Sequence, residues 1–178
     1  AEREPQRHAP QTAAPADGEA PVTRVRLTDL PRTADVAIER DALMGILQYG
    51  HLIDQEMLAR AVAEQFRNPA LDAVRESVAS AADRTRVGWS TSAADAVREP
   101  YRSLAGELLM MPFPAKDEER ALVSATDLCR RLILRTIDRE KNELLGAVQR
   151  IPADSDGGRA LRMRLRDIDL ERMRFVES

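Results

Sequence analysis

Between Asp117 and Arg150 the chain carries no proline and only one glycine, Gly146. Proline ends helices because it lacks an N–H and its ring clashes with the preceding turn. About 34 residues without one allow a single helix of roughly 50 Å. The apolar residues recur at three and four: Leu122, Ala125, Cys129, Leu132, Ile133 and Ile137, then Leu144, Leu145 and Val148. With Leu128 and Leu134, the first half is apolar around much of its circumference, whereas the second keeps a narrow stripe. That contrast predicts a first half buried in a bundle and a second half projecting from it. The run from Ile151 to Gly158 holds Pro152, Asp154, Ser155 and Asp156, which reverse the chain and cap a last helix reaching about Val176. Its stripe of Leu161, Leu165, Ile168 and Phe175 suits antiparallel packing on Leu144 and Val148, giving a two-helix arm.

The chain before Asp117 predicts five short helices and no strand. Aromatic residues are 3% of the 178, and Leu, Ala, Val, Ile and Met make up most of the hydrophobic 43%. That composition favours helices over sheets. The first helix begins near Thr33 or Asp35 and ends at Tyr49, with Gly50 as its left-handed closing residue and Val36, Leu43, Ile46 and Leu47 inward. Asp54 caps a second, carrying Met57, Leu58, Ala61, Val62 and Phe66. Asn68-Pro69 opens a third, with Leu71, Val74, Val78 and Ala81 inward. Ser90 or Thr91 caps a fourth running to Val97, and Pro100 opens a fifth with Tyr101, Leu104, Leu108 and Leu109. Residues 1–32 hold Pro5, Pro10, Pro15, Pro21 and Pro31 and almost no large apolar side chain before Val22. They read as a largely disordered interdomain linker, which suggests further domains upstream, although Val22 to Leu30 would order if packed on the body. The expected division is a linker over 1–32 and a domain over 33–178, the latter split into a bundle (33–135) and a hairpin arm (136–178).

Little in the sequence points to catalysis. The two histidines are His8, in the linker, and His51, at a helix exit, and Cys129 is the one cysteine. Neither a zinc site nor a Cys-His dyad can be built from these. Gly157-Gly158 lacks the Lys-Ser/Thr of a phosphate loop. Asp138, Glu140 and Glu143 sit beside Arg139 and Lys141 and read as a solvated face. Trp89 and Tyr101 read as core, and Cys129 as a small buried residue. No catalytic residue, metal or cofactor is expected. The net charge of −3 argues against strong nucleic-acid binding by this domain alone, although the region from Arg130 onward has 12 basic residues against 9 acidic ones. A lone cysteine and the lack of a long apolar run predict a soluble cytoplasmic protein, monomeric in isolation and without direct membrane contact. Met163, Leu170 and Met173, off the arm's seam and among Arg162, Arg164, Arg166, Arg172 and Arg174, either form a partner-binding helix face, where Met and Arg are enriched, or pack around the seam and cover it with their stems.

The stretch Glu39-Arg40-Asp41-Ala42-Leu43-Met44-Gly45-Ile46-Leu47-Gln48-Tyr49-Gly50-His51-Leu52 resembles the opening helix of the C-terminal helicase-binding domain of bacterial replicative DNA primase. Leu132-Ile133-Leu134-Arg135 and Glu143-Leu144-Leu145 fall where that family has its apolar run and arm, so the resemblance spans about Ala34 to Ser178. It implies an all-α bundle of about five short helices, plus a long helix and a terminal helix forming a protruding antiparallel hairpin. It also implies a non-catalytic domain that docks on the N-terminal domains of the hexameric replicative helicase. Docking would recruit a primase, whose polymerase domain would lie upstream, to the replication fork for primer synthesis. Carried onto this chain, the helicase-binding residues would be Arg166, Leu170, Met173, Arg174 and Phe175. A second site for the acidic tail of single-stranded DNA-binding protein is implied near Ile38, Arg40 and Leu43, where Asp35 and Glu39 would repel it. Gly50 stands where the family commonly has Pro. Alternative readings are the N-terminal domain of the helicase itself, or a helical adaptor or regulator dimerising through its hairpin.

Overall fold

The computed structural model describes residues 23–152 and 154–176. The expectations for residues 1–22 lie outside them. Seven α-helices and no strand make up the regular structure of the described residues, apart from a 3-10 turn at Leu27–Asp29: α1 (Ala34–Tyr49), α2 (Gln55–Ala61), α3 (Pro69–Ala79), α4 (Trp89–Asp95), α5 (Arg102–Met110), α6 (Glu118–Val148) and α7 (Asp156–Val176). The chain is an all-helical bundle.

Local chemistry sets most helix starts. Thr33, Asp54 and Asp117 each accept the N–H of the residue three positions on, and Asn68 accepts from Ala70 and Leu71. Each cap satisfies a donor that the first turn would otherwise leave unpaired. Helix α4 departs from expectation: it starts at Trp89 after Gly88, whose φ of 80° only glycine adopts readily, and neither Ser90 nor Thr91 is its cap. Helix α5 starts at Arg102, two residues after Pro100, whose bond to Glu99 is cis. Gly50 is not a left-handed cap, since its φ is −58°. A side chain there would put its Cβ 2.8 Å from Trp89 Cζ2 and against the Ile46 carbonyl, so the position is small for steric reasons.

Helix α1 lies at the centre, packed chiefly on α6 and also on α3 and α5. Residues Ala42 to Leu47 are all buried, so α1 is enclosed and lacks a distinct outer face over this stretch. Where α1 meets α6, a Cβ on Gly45 would stand 2.8 Å from Ala125 Cβ, and only glycine permits the crossing. Trp89 is buried as expected, and Tyr49 meets Phe113 edge-on at 5.6 Å. The body begins before Thr33: Val25 N donates to Pro100 O at 3.1 Å, and Glu107 accepts from Arg26 Nε and Leu27 N, each at 2.8 Å.

Helix α6 is one unbroken helix of 31 residues, and α7 runs back along it. The pairs Asp138–Arg172 at 2.8 Å and Lys141–Asp169 at 2.6 Å fix the antiparallel register. Asp138 and Glu140 are therefore bridges between helices, not simply a solvated face, and Glu140 holds Arg164 at 2.6 Å. The expected border at residue 136 does not coincide with a gap in packing. Ile137 and Ile168 are both fully buried in the common core, and Arg139 reaches Glu64 beyond the end of α2.

Cys129 is buried on the inner face of α6, and burial pushes its thiol from 9.0 up to about 12. The unfolded chain loses that proton at lower pH than the folded one. Stability contributed below about pH 9 is therefore lost as pH rises toward 12, at up to about 1.4 kcal/mol per pH unit. In urea titrations between about pH 9 and 10.5 the parent should lose up to about 2 kcal/mol more than Cys129→Ala. Equal losses in the two proteins would count against a sequestered thiol.

Candidate partner-docking surface

Helix α7 carries two stripes, and the arrangement follows from its sequence. At about 100° per residue, Leu161, Leu165 and Phe175 fall on the side of Ile168, whereas Met163, Arg166, Leu170 and Met173 lie roughly 140–220° away. Ile168 goes into the core and has no exposure, while Met163, Leu170 and Met173 are exposed by 66%, 59% and 54%. Three large apolar side chains thus share the outer face of a helix whose other face is already satisfied.

Of the five helicase-binding residues expected from the sequence, Arg166, Leu170, Met173 and Arg174 are exposed. Arg166 makes no ion pair among the described residues, so its charge is free for a partner. Phe175 is half-buried: seven positions after Ile168 turn one side of it to the core cluster, and it also lines a groove beside Leu170 and Arg174. The same spacing was readable in the sequence.

The outer face continues across a groove of about 790 Å³ onto α2, where Met57 and Arg60 face Leu170 and Arg174. Arg60 reaches Glu171 at 2.8 Å, joining the two walls. Sequence reasoning missed this extension, since Met57 reads as an inward residue of α2 and nothing in the sequence brings α2 beside α7.

Of the residues of the second expected site, Ile38 and Arg40 are half-buried and Leu43 is enclosed. Leu43 has no exposure and cannot reach a partner, because α1 is enclosed at that point. Arg40 is held by Asp41 at 2.7 Å. Ile38 lines a shallow groove of α1 and α6 in which Arg67, Arg131, Arg135 and Arg139 stand beside the carboxylates Asp35, Asp138 and Glu143. The carboxylates expected to repel an acidic partner are engaged there: Asp35 pairs with Arg67 and Arg135. Glu39, with no exposure, accepts from Arg67 N at 2.9 Å, Asn68 N at 3.2 Å and Arg135 Nη2 at 2.7 Å. A buried carboxylate with three charge- or amide-donated bonds is satisfied inside the fold and adds little field outside it.

Among the described residues no three of His, Cys, Asp and Glu converge as metal ligands, and no helix is long and apolar enough to cross a membrane. Comparisons with protein-family models, with curated proteins and with solved structures find no match to this chain.

Proposed function

We propose that this chain is a non-catalytic protein-interaction domain that docks through the outer face of α7 on the N-terminal domains of a hexameric replicative helicase, bringing a primase to the replication fork. The observation that carries the reading is the exposed row of Met163, Leu170 and Met173 opposite the buried Ile168. Apolar anchors of this kind supply affinity, while Arg166 and Arg174 steer approach and fix register. The helicase enters through the resemblance of residues 34–178 to the primase domain. In that reading Met57 and Arg60 widen the docking face, and the groove beside Ile38 offers Arg131 to the acidic tail of single-stranded DNA-binding protein. The setting is the cytoplasm, and the domain itself needs no cofactor.

The test is a titration against the hexameric helicase of the same organism, with Leu170→Asp/Met173→Asp as the variant. Both positions are exposed, so helicity should be unchanged. Loss of two buried anchors at roughly 1.5–3 kcal/mol each predicts affinity weaker by a hundredfold or more. A folded parent that fails to bind at roughly tens of micromolar rules the helicase out. Sedimentation of the same samples would then show whether the outer face instead pairs two copies of the chain.

A further inference from the structure

Residues 23–33 cross the body as a strap, and their contacts are those of a bound peptide. Arg26 is extended, with φ of −119° and ψ of 166°, and the Glu107 carboxylate of α5 meets it and its successor together. One carboxylate oxygen accepts from Arg26 Nε and the other from Leu27 N, each at 2.8 Å, while Val25 N donates to Pro100 O at 3.1 Å. A carboxylate that uses both oxygens in this way makes charge-assisted bonds, about twice as strong as neutral ones. Asp29 accepts the Arg26 N–H at 2.9 Å, which leaves the guanidinium to Glu107. Arg32 and Arg40 are the charged residues lining the groove of about 470 Å³ that the strap forms with α1. Val25, Leu27 and Leu30 supply the apolar contact, packing on the core cluster from outside.

The strap is also built to leave. Val25, Leu27 and Leu30 are half-buried and its other residues are exposed, so none is enclosed by the body. The Glu107 and Arg26 side chains keep 29% and 68% of their exposure, and water can replace either partner. Segments with few buried apolar contacts and solvent-exposed hydrogen bonds open at a fraction of the global unfolding free energy.

We propose that this face of α5 is a binding site for an extended peptide with arginine followed by an apolar residue, occupied in cis by Arg26-Leu27 and freed when the strap opens from a folded bundle. None of its residues belongs to α7, so the site stands whether or not α7 docks on a helicase. The tether holds the strap at an effective concentration on the order of millimolar. A partner presenting the same pair of residues in trans must outcompete it, and its capture detaches residues 23–33 from the body.

Amide exchange of the full chain tests the opening. The amides of Val25 and Leu27, corrected for sequence, should exchange roughly a hundredfold or more faster than those of Leu43 and Ile46, and without the steep urea dependence of global unfolding. Glu107→Gln keeps one acceptor oxygen and should speed Leu27 exchange roughly tenfold. Strap and core amides that share one rate and one urea dependence overturn the proposal. The ligand is tested with a synthetic peptide of residues 23–31, added to the full chain carrying Arg26→Ala/Leu27→Ala, whose own strap no longer satisfies Glu107. Saturable shifts of the Tyr101 and Glu107 amides are expected, with affinity weaker by roughly tenfold or more when Glu107→Gln is added, or on the parent chain, where the intact strap competes. No saturable shift at roughly 5 mM peptide, or binding that Arg26→Ala in the peptide leaves unchanged, overturns the site.

Discussion

Replacing Glu39 with leucine is expected to remove about 3–5 kcal/mol of unfolding free energy, a large part of what a domain of this size possesses. The carboxylate has no exposure and joins three helices. It belongs to α1, accepts the N–H groups of Arg67 and Asn68 at the entry to α3, and meets Arg135 of α6. Leucine would leave those two amides without their acceptor and Arg135 with only the ion pair to Asp35 at 3.7 Å, its Nη1 being already buried without a hydrogen bond. Glu39→Gln keeps one acceptor oxygen and should fall between. The pair Glu39→Leu/Arg135→Leu should recover part of the loss, since the stranded charge disappears while the two orphaned amides remain. Urea unfolding monitored by helicity measures all three. A loss under about 1 kcal/mol for Glu39→Leu would mean that the carboxylate does not hold these helices together.

Gly45→Val is expected to cost about 3 kcal/mol, lowering the melting temperature by roughly 6–12 °C. The added Cβ would meet Ala125 Cβ at 2.8 Å, Ala125 Cα at 3.1 Å and Phe113 Cε2 at 3.2 Å. Because one of these atoms belongs to the α6 backbone, rotation of a side chain cannot relieve the clash. α1 and α6 must separate. Even Gly45→Ala should be destabilising by about 1 kcal/mol or more, although alanine is the better helix former by about 1 kcal/mol. Gly106 on α5 supplies the contrast, for a Cβ there meets nothing within 4 Å. Gly106→Ala should therefore raise stability by up to about 1 kcal/mol. Thermal melts of the two alanine variants should move in opposite directions, and a shift of the same sign would refute the close crossing.

Elements governed by short-range chemistry were legible in the sequence. The long helix follows from a proline-free run with three-four spacing, and its observed bounds, Glu118–Val148, lie close to those expected. The caps Asp54 and Asn68 and the outward Met163, Leu170 and Met173 were readable for the same reason, since each depends on neighbours within one or two turns. What depends on contacts distant in sequence was not. Glu39 reads as an exposed acid on an amphipathic helix, because its partners lie 28 and 96 residues away. Leu43 reads as inward from its spacing and as a contact residue only through the resemblance, and its enclosure by α3, α5 and α6 decides for the first. Gly50 illustrates a different ambiguity: a glycine after a helix signals either a left-handed turn or a close approach, and the nearby Trp89 makes it the second.

Ile168 gives α7 a thermodynamic role beyond its geometry. Its side chain is fully enclosed in the common core, so α7 cannot melt without exposing part of that core. Had α7 been an appendage, a ligand on its outer face would stabilise that helix alone. Coupled in this way, the ligand stabilises the whole molecule by RT ln(1 + [L]/Kd), about 2.7 kcal/mol at a hundredfold excess over Kd. Occupancy of Leu170 and Met173 would then be readable at α1 as slowed amide exchange.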